Sequence, residues 1–109
     1  MLYDTVMWYE TDEGISIELY NYIDNTGELN TRRYAIEDNL MRKIKKGTFD
    51  FEKSIKAWMH LVDYGAKWYE KELGSGQFKT PPYFPKKIRL KVARMFAEYF
   101  ITEYNLGNR

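Results

Sequence analysis

The feature that most constrains the fold is a stretch near the end of the sequence, residues 85–104, that is apolar around most of a helical circumference. At 100° per residue, its apolar side chains cover well over half of the helix. These are Ile88, Leu90, Val92, Ala93, Met95, Phe96, Ala97, Tyr99, Phe100, Ile101 and Tyr104. Since a helix this apolar needs neighbours on two sides, we expect it to be the central helix, with Pro85 as its first residue.

A second helix is predicted over residues 51–73, with Asp50 as its N-cap and Gly74 as its stop signal. One face of this helix collects Phe51, Ile55, Trp58, Met59, Val62, Gly65, Ala66, Tyr69 and Leu73. Gly65 and Ala66 would let a neighbouring helix approach closely. We therefore expect this face to lie in the core and the opposite face to meet water.

A third helix is predicted upstream, over residues 30–46. Asn30 or Thr31 would cap its start, and Gly47 would end it. Its apolar stripe consists of Ile36, Leu40, Met41 and Ile44. The basic residues of its last turn are typical of a helix C-terminus, where cations favour the macrodipole.

The first third of the chain favours β-structure. Residues 15–23, ISIELYNYI, alternate between apolar and polar positions and lie between the turn signals TDEG and DNTG. We predict a hairpin of residues 2–10 with residues 15–23. A helix over residues 15–24 competes, because Ile15, Leu19, Tyr22 and Ile23 also share a helical face. The predicted fold is thus α+β and mostly helical, an N-terminal β-hairpin packed on three α-helices, with an all-α fold as the alternative.

Length and composition bound the class of protein. At 109 residues, we expect residues 1–109 to form one domain. The chain has no cysteine, which excludes disulfides and thiol chemistry and is compatible with a cytoplasmic location. We expect neither a signal peptide nor a membrane span, since no apolar run approaches the ~20 residues that cross a bilayer.

Charge is distributed unevenly along the chain. The net charge is +1, but residues 1–30 carry seven acidic residues and no lysine or arginine. One interpretation is that the acidic and basic parts pack together and neutralise each other, and we favour it. The other is that one of them meets a partner of opposite charge.

Catalytic arrangements are not indicated. His60, the only histidine, lies on a helix face among lysines, and a metal site would need further ligands. The segment GSGQFKT lacks the spacing of a phosphate-binding loop, and no GxSxG motif occurs. We expect no enzyme activity, no cofactor and no metal.

The candidate binding surface is the outer side of the middle helix. This basic–aromatic face consists of Lys53, Lys56, His60, Tyr64, Lys67, Trp68 and Lys71. Bases interleaved with aromatics suit an acidic protein partner or single-stranded nucleic acid. The competing interpretation is that Tyr64, Leu61 and Trp68 pack beneath the hairpin or the loop and leave the lysines solvated. For nucleic acid, Lys79, Lys86, Lys87 and Arg89 would extend the surface.

Residues 47–104 resemble small, uncharacterised helical proteins encoded by phages. The resemblance lies in Gly47-Thr48-Phe49-Asp50, Leu61-Val62-Asp63-x-Gly65-Ala66, Tyr69-x-Lys71-Glu72 and Phe84-Pro85…Arg89…Val92-Ala93. These features concern packing and capping, so the resemblance transfers no catalytic residue. It implies a virus-encoded accessory protein that acts in a bacterial cytoplasm.

We therefore expect a non-enzymatic binding protein that docks on another macromolecule, such as a host protein. The acidic N-terminal segment would compete with nucleic acid for a basic groove on a host defence or replication factor, or the basic–aromatic face would dock on an acidic partner. A nucleic-acid-binding module and a structural subunit of a larger assembly are the alternatives. Opposite charges at the two ends also make a homo-oligomer plausible.

Overall fold

The computed structural model describes residues 10–73 and 84–104, and these residues form four helices. They are α1 (Asp12–Asp24), α2 (Gly27–Lys46), α3 (Phe51–Leu73) and α4 (Lys86–Glu103). No strand occurs within the described ranges. The protein is therefore a small, compact helical domain.

Helix α1 shows that the predicted α+β fold is wrong, since residues 15–23 are helical rather than extended. Thr11 caps the helix by accepting a hydrogen bond from the Gly14 amide at 2.9 Å. Two acidic residues then occupy the first turn, where the helix dipole favours negative charge. Leu19 and Ile23, four residues apart, are fully buried. The other predicted strand, residues 2–10, lies outside the described residues apart from its last position.

Helix α2 begins before the predicted caps, with Thr26 at the N-cap position. The Asn30 side chain instead joins α2 to α1, because its amide donates to the Asp24 carbonyl at 2.7 Å. The predicted C-terminal stop is confirmed. Gly47 has φ 74°, a left-handed conformation that favours glycine, and its amide donates to the Ile44 carbonyl.

Helices α3 and α4 follow the predicted boundaries closely. The Asp50 carboxylate accepts from the Lys53 amide at 2.9 Å, which confirms the N-cap of α3. The predicted stop at Gly74 lies outside the described residues. Pro85 occupies the N-cap position of α4 rather than its first helical position.

The core is centred on α3 rather than on α4. Helix α3 packs against each of the other three described helices, whereas α4 packs mainly against α1 and α3. Trp58, Val62 and Tyr69 of α3 are fully buried, and the Trp58 ring stacks on Phe96 of α4 with centroids 5.7 Å apart. The expectation of two neighbours for α4 is confirmed, but the central position is not. Leu61, on a second side of α3, is also buried.

Candidate functional site: a cationic groove between two helices

The basic members of the basic–aromatic face lie at the surface as predicted. Lys53, Lys56, His60, Lys67 and Lys71 are all exposed. The helical periodicity that places them at the surface also buries Trp58 and Val62 on the opposite side of α3. Within the described part of the chain, none of these five side chains forms an ion pair. The charge of the four lysines is therefore available to a partner.

The two aromatic members of this face are engaged inside the fold. Tyr64 and Trp68 are half-buried and contact each other with ring centroids 5.5 Å apart. The guanidinium of Arg32, on α2, covers the Tyr64 ring at 3.8 Å from its centroid. Among the described residues, Tyr64 thus packs against Arg32 of α2 and Trp68 packs against Tyr64, while the lysines meet solvent.

A groove follows the seam between α2 and α3 and adjoins the basic–aromatic face. It consists of two openings of about 280 and 270 Å³ that share Ala35, Ile36 and Ala57. The complete α2–α3 groove is lined by Arg32, Ala35, Ile36, Asn39, Leu40, Lys43, Ala57, His60 and Leu61. Its floor is apolar, and its edges carry two cations and the histidine.

Helical spacing explains how the sequence forms this groove. On α2, Arg32, Ile36, Asn39 and Lys43 follow one another at intervals of three or four residues and so form one stripe. That stripe lies beside the one that buries Leu40. Alanines at positions 35 and 57 leave room where larger side chains would close the seam.

Arg32 is a pre-oriented hydrogen-bond donor. Its stacking on Tyr64 uses the face of the guanidinium, which leaves the N–H groups in its plane free to donate. Arg32 is exposed and has no carboxylate partner among the described residues. The position thus offers an ordered, unneutralised cation at the edge of an apolar surface.

Sequence reasoning identified His60 and Tyr64 but missed the α2 side of the groove. Arg32 and Lys43 were not singled out, because their proximity to α3 depends on how two helices pack. The sequence feature that could have indicated the groove is a pair of alanines, Ala35 and Ala57. Each lies next to an apolar stripe within a long helix.

The basic residues of α4 are arranged differently. Lys86 is exposed, whereas Lys87 forms an ion pair with Asp12 of α1 at 3.1 Å. Arg89 pairs with Asp63 of α3 and donates from Nε to the Phe84 carbonyl at 3.0 Å. Lys87 and Arg89 are therefore partly neutralised within the fold. Through its ion pair with Asp63, Arg89 also links the start of α4 to α3.

Arg89 and one member of the basic–aromatic face do meet in a second groove, of about 310 Å³. It is lined by Asp63, Ala66, Lys67, Glu70, Phe84 and Arg89. Two carboxylates offset its two cations, so this groove has no net charge to select a partner.

The acidic residues of α1 are largely satisfied by the other helices. Asp12 pairs with Lys87, and Asp24 pairs with Arg33 of α2 at 2.5 Å. Glu18 accepts a hydrogen bond from the Tyr69 hydroxyl at 3.1 Å. For Asp12 and Asp24, which pair with basic residues, the interpretation that oppositely charged parts neutralise each other is confirmed.

A buried polar network joins α1, α2 and α4. Arg33 and Glu37 are almost fully buried, and their Nε and Oε2 atoms are 3.6 Å apart. The Arg33 guanidinium also lies 5.2 Å from the centroids of Phe96 and Tyr99. Burial raises the pKa of Glu37. The enclosure of this network makes it part of the packing rather than of a site.

Another opening, of about 670 Å³, lies at the end of the bundle near the α2–α3 loop. It is lined by Ile44, Gly47, Phe49, Phe51, Glu98, Ile101 and Thr102. Among the described residues that line it, only Glu98 is charged, so the opening offers little that would select a ligand.

Neither metal coordination nor membrane insertion is indicated by the described residues. Within residues 10–73 and 84–104, no group of three or more His, Asp or Glu side chains could hold a metal ion. None of the four helices described combines the length and the apolarity needed to cross a bilayer.

Comparison of the chain with models of protein families, with curated proteins and with solved structures finds no match. The resemblance to phage-encoded proteins therefore stays a prediction.

Proposed function

We propose that this protein is a non-enzymatic binding protein and that the α2–α3 groove is the surface on which a protein partner docks. The observation that carries the proposal is an apolar floor bounded by Arg32, Lys43 and His60. Protein interfaces combine an apolar centre with a polar rim in this way.

The state of the aromatic rings supports a protein partner over nucleic acid. Binding of single strands relies on exposed rings on which bases stack. Tyr64 is already covered by Arg32, and Trp68 packs against Tyr64. An apolar floor, by contrast, favours a partner that buries aliphatic or aromatic side chains against it, because burial of apolar surface stabilises a complex.

The expected biological setting follows from the sequence resemblance. A small phage-encoded accessory protein acts by binding host components, so we infer a host protein as the partner, with a defence or replication factor as the leading class. The docking surface in this proposal is the α2–α3 groove rather than α1, because Asp12 and Asp24 are engaged within the fold.

Affinity capture from bacterial lysate tests the proposal when it is combined with a matched pair of variants. Lys43 lines the groove, whereas Lys45, also in the last turn of α2, does not. We expect wild type and K45E to retain one stoichiometric protein and K43E to lose it. The captured protein is then identified and rebound in purified form. Equal capture by K43E and K45E, or no capture by wild type, would contradict the proposal.

A nucleic-acid-binding module is the second candidate, supported by five exposed basic residues of α3 that form no ion pair with the described residues. It predicts that a single-stranded DNA oligonucleotide binds at low salt, with an affinity that falls steeply as salt is added. Reversing the charges of Lys56, Lys67 and Lys71 would abolish that binding. If no binding occurs at low salt, this candidate is excluded.

A further inference from the structure

We propose that the segment occupying the α2–α3 groove is an acidic amphipathic helix of the partner. This inference rests on the proposed function and specifies its ligand. Three observations carry it: the length of the groove, the small residues on its floor and the sign of the charge along its edges.

The length of the groove suits a short helix. Arg32 and Lys43 mark its two ends and are eleven residues apart on α2. Eleven residues rise by about 16 Å, or three helical turns. A helix lying along the seam would thus present apolar side chains from three successive turns, the pattern by which amphipathic helices dock in grooves.

The floor of the groove allows a helix to approach closely. Ala35 and Ala57 contribute only a methyl group each from the two sides of the seam, and Ile36 and Leu61 lie beside them. Packed helices have axes about 8–10 Å apart, with the shorter distances at small residues. The docking helix would insert side chains at i, i+4 and i+7 between α2 and α3.

The charge along the edges selects an acidic sequence. Arg32 and Lys43 lie on the α2 side, with His60 and the neighbouring Lys53 on the α3 side. A lysine-rich helix would meet like charges along both edges. A carboxylate of an acidic helix would instead meet the free N–H groups of Arg32, whose planar guanidinium can bind it through two parallel hydrogen bonds.

Three synthetic peptides of fifteen residues test this ligand class by fluorescence anisotropy on the full chain. All carry leucine at i, i+4, i+7 and i+11, and their polar positions are glutamate, glutamine or lysine. We expect the glutamate peptide to bind at least about tenfold more tightly than the glutamine peptide. The lysine peptide should not bind. Equal affinities for all three, or no binding of the glutamate peptide at about 1 mM, would overturn the inference.

A matched pair of variants on α2 places the interaction in the groove. Arg32 lines it, whereas Lys45 is exposed on the opposite side of the same helix. R32E should weaken binding of the glutamate peptide by about tenfold or more, and K45E by less than about twofold. R32K, which keeps the charge but loses the fork of donors, should fall between them. Circular dichroism checks that each variant is folded, and equal weakening by R32E and K45E would overturn the inference.

This experiment separates the inference from the function on which it rests. If K43E loses the captured protein but the glutamate peptide does not bind to wild type, the groove is a docking surface for another kind of segment. If K43E and K45E capture equally, the proposed function itself fails.

Discussion

Tyr22 and Tyr69 pack edge to face in the core with ring centroids 5.1 Å apart, yet their hydroxyl groups have different surroundings. The Tyr69 hydroxyl donates to the Glu18 carboxylate at 3.1 Å. The Tyr22 hydroxyl is buried and forms no hydrogen bond of normal length with the described residues, although the Glu72 carboxylate and the Thr26 hydroxyl are nearby. Burial, with a contribution from the nearby Glu72 carboxylate, raises the pKa of Tyr22 to about 12. This hydroxyl thus stays protonated at neutral pH.

Removing the two hydroxyl groups should therefore have opposite effects. Y22F eliminates an unpaired buried polar group and should leave stability unchanged or raise it by up to about 1 kcal/mol. Y69F breaks a hydrogen bond and should lower stability by about 1–2 kcal/mol. Urea denaturation of both variants measures the difference. If Y22F were as destabilising as Y69F, the Tyr22 hydroxyl would have to be hydrogen-bonded after all.

Glu37 gives the fold a pH dependence of unusual sign for a carboxylate. Burial raises the pKa of Glu37, and the Glu103 carboxylate also raises it, while Arg33 acts in the opposite direction. A carboxyl group with a higher pKa in the folded state binds its proton more tightly there. Its contribution to stability is fully present below the unfolded pKa of about 4.3 and is lost as pH rises through the folded pKa.

The E37Q variant removes this titration and isolates its effect. The stability of E37Q relative to wild type should rise as pH increases from about 4 to about 7. The other carboxyl groups titrate in both proteins, so the difference between two urea-denaturation series reports Glu37. A difference that falls with pH would mean that the pairing with Arg33 outweighs the burial of the carboxylate.

Among the elements, α1 shows how local pattern misleads. Residues 15–23 alternate well enough to predict a strand, but Leu19 and Ile23 are also one turn apart on a helix. Both patterns fit nine residues, and packing decides between them. Capping by Thr11 and the fit of Ile23 against α3 favour the helix. The longer helices α2, α3 and α4 could be predicted because several turns repeat the same apolar face.

The contact between α1 and α3 depends on a glycine. A Cβ atom added at Gly65 would lie 2.6 Å from Cγ1 and 2.8 Å from Cδ1 of Ile23, which is fully buried. Alanine favours a helix by about 1 kcal/mol over glycine. Overpacking costs typically about 1–3 kcal/mol, so G65A should lower stability despite its better helix propensity.

Gly27, the first residue of α2, provides the matched control. A Cβ atom added there would have nothing within 4 Å. G27A should therefore raise stability by about 0.4–1 kcal/mol, because alanine restricts the unfolded chain. Urea denaturation compares the two variants. If both alanines raised stability, α1 and α3 would have room to separate at Gly65.

For the candidate site, as for the fold, the sequence predicted one part and not the other. The exposed lysines of α3 could be placed because they follow from the period of a single helix. The groove could not, because Arg32 and Tyr64 are 32 positions apart and meet only when α2 packs on α3. Nothing in the local pattern of either helix encodes that pairing.

At the scale of the molecule, ion pairs between the described helices determine which surface retains a net charge. Two acids of α1 form ion pairs within the fold, where Asp12 meets α4 and Asp24 meets α2. Helix α3 directs Asp63 toward Arg89 of α4. The charged residues that line the α2–α3 groove, Arg32 and Lys43, form no ion pair among the described residues, so the groove keeps a positive charge while two acids of α1 are neutralised.

The central position of α3 also predicts how the molecule opens. Trp58, Val62 and Tyr69 contribute to the packing of a helix that contacts every other described helix, so their amides should exchange with solvent only on global unfolding. The last turn of α2 has a half-buried Ile44 and exposed lysines, and it should open locally. Hydrogen exchange followed by NMR should give these α3 amides the free energy of unfolding measured in urea. The amides of the last α2 turn should lie at least about 2 kcal/mol lower. Equal free energies in both segments would show that the four helices open only together, and lower values in α3 would mean that it is not the helix on which the others depend.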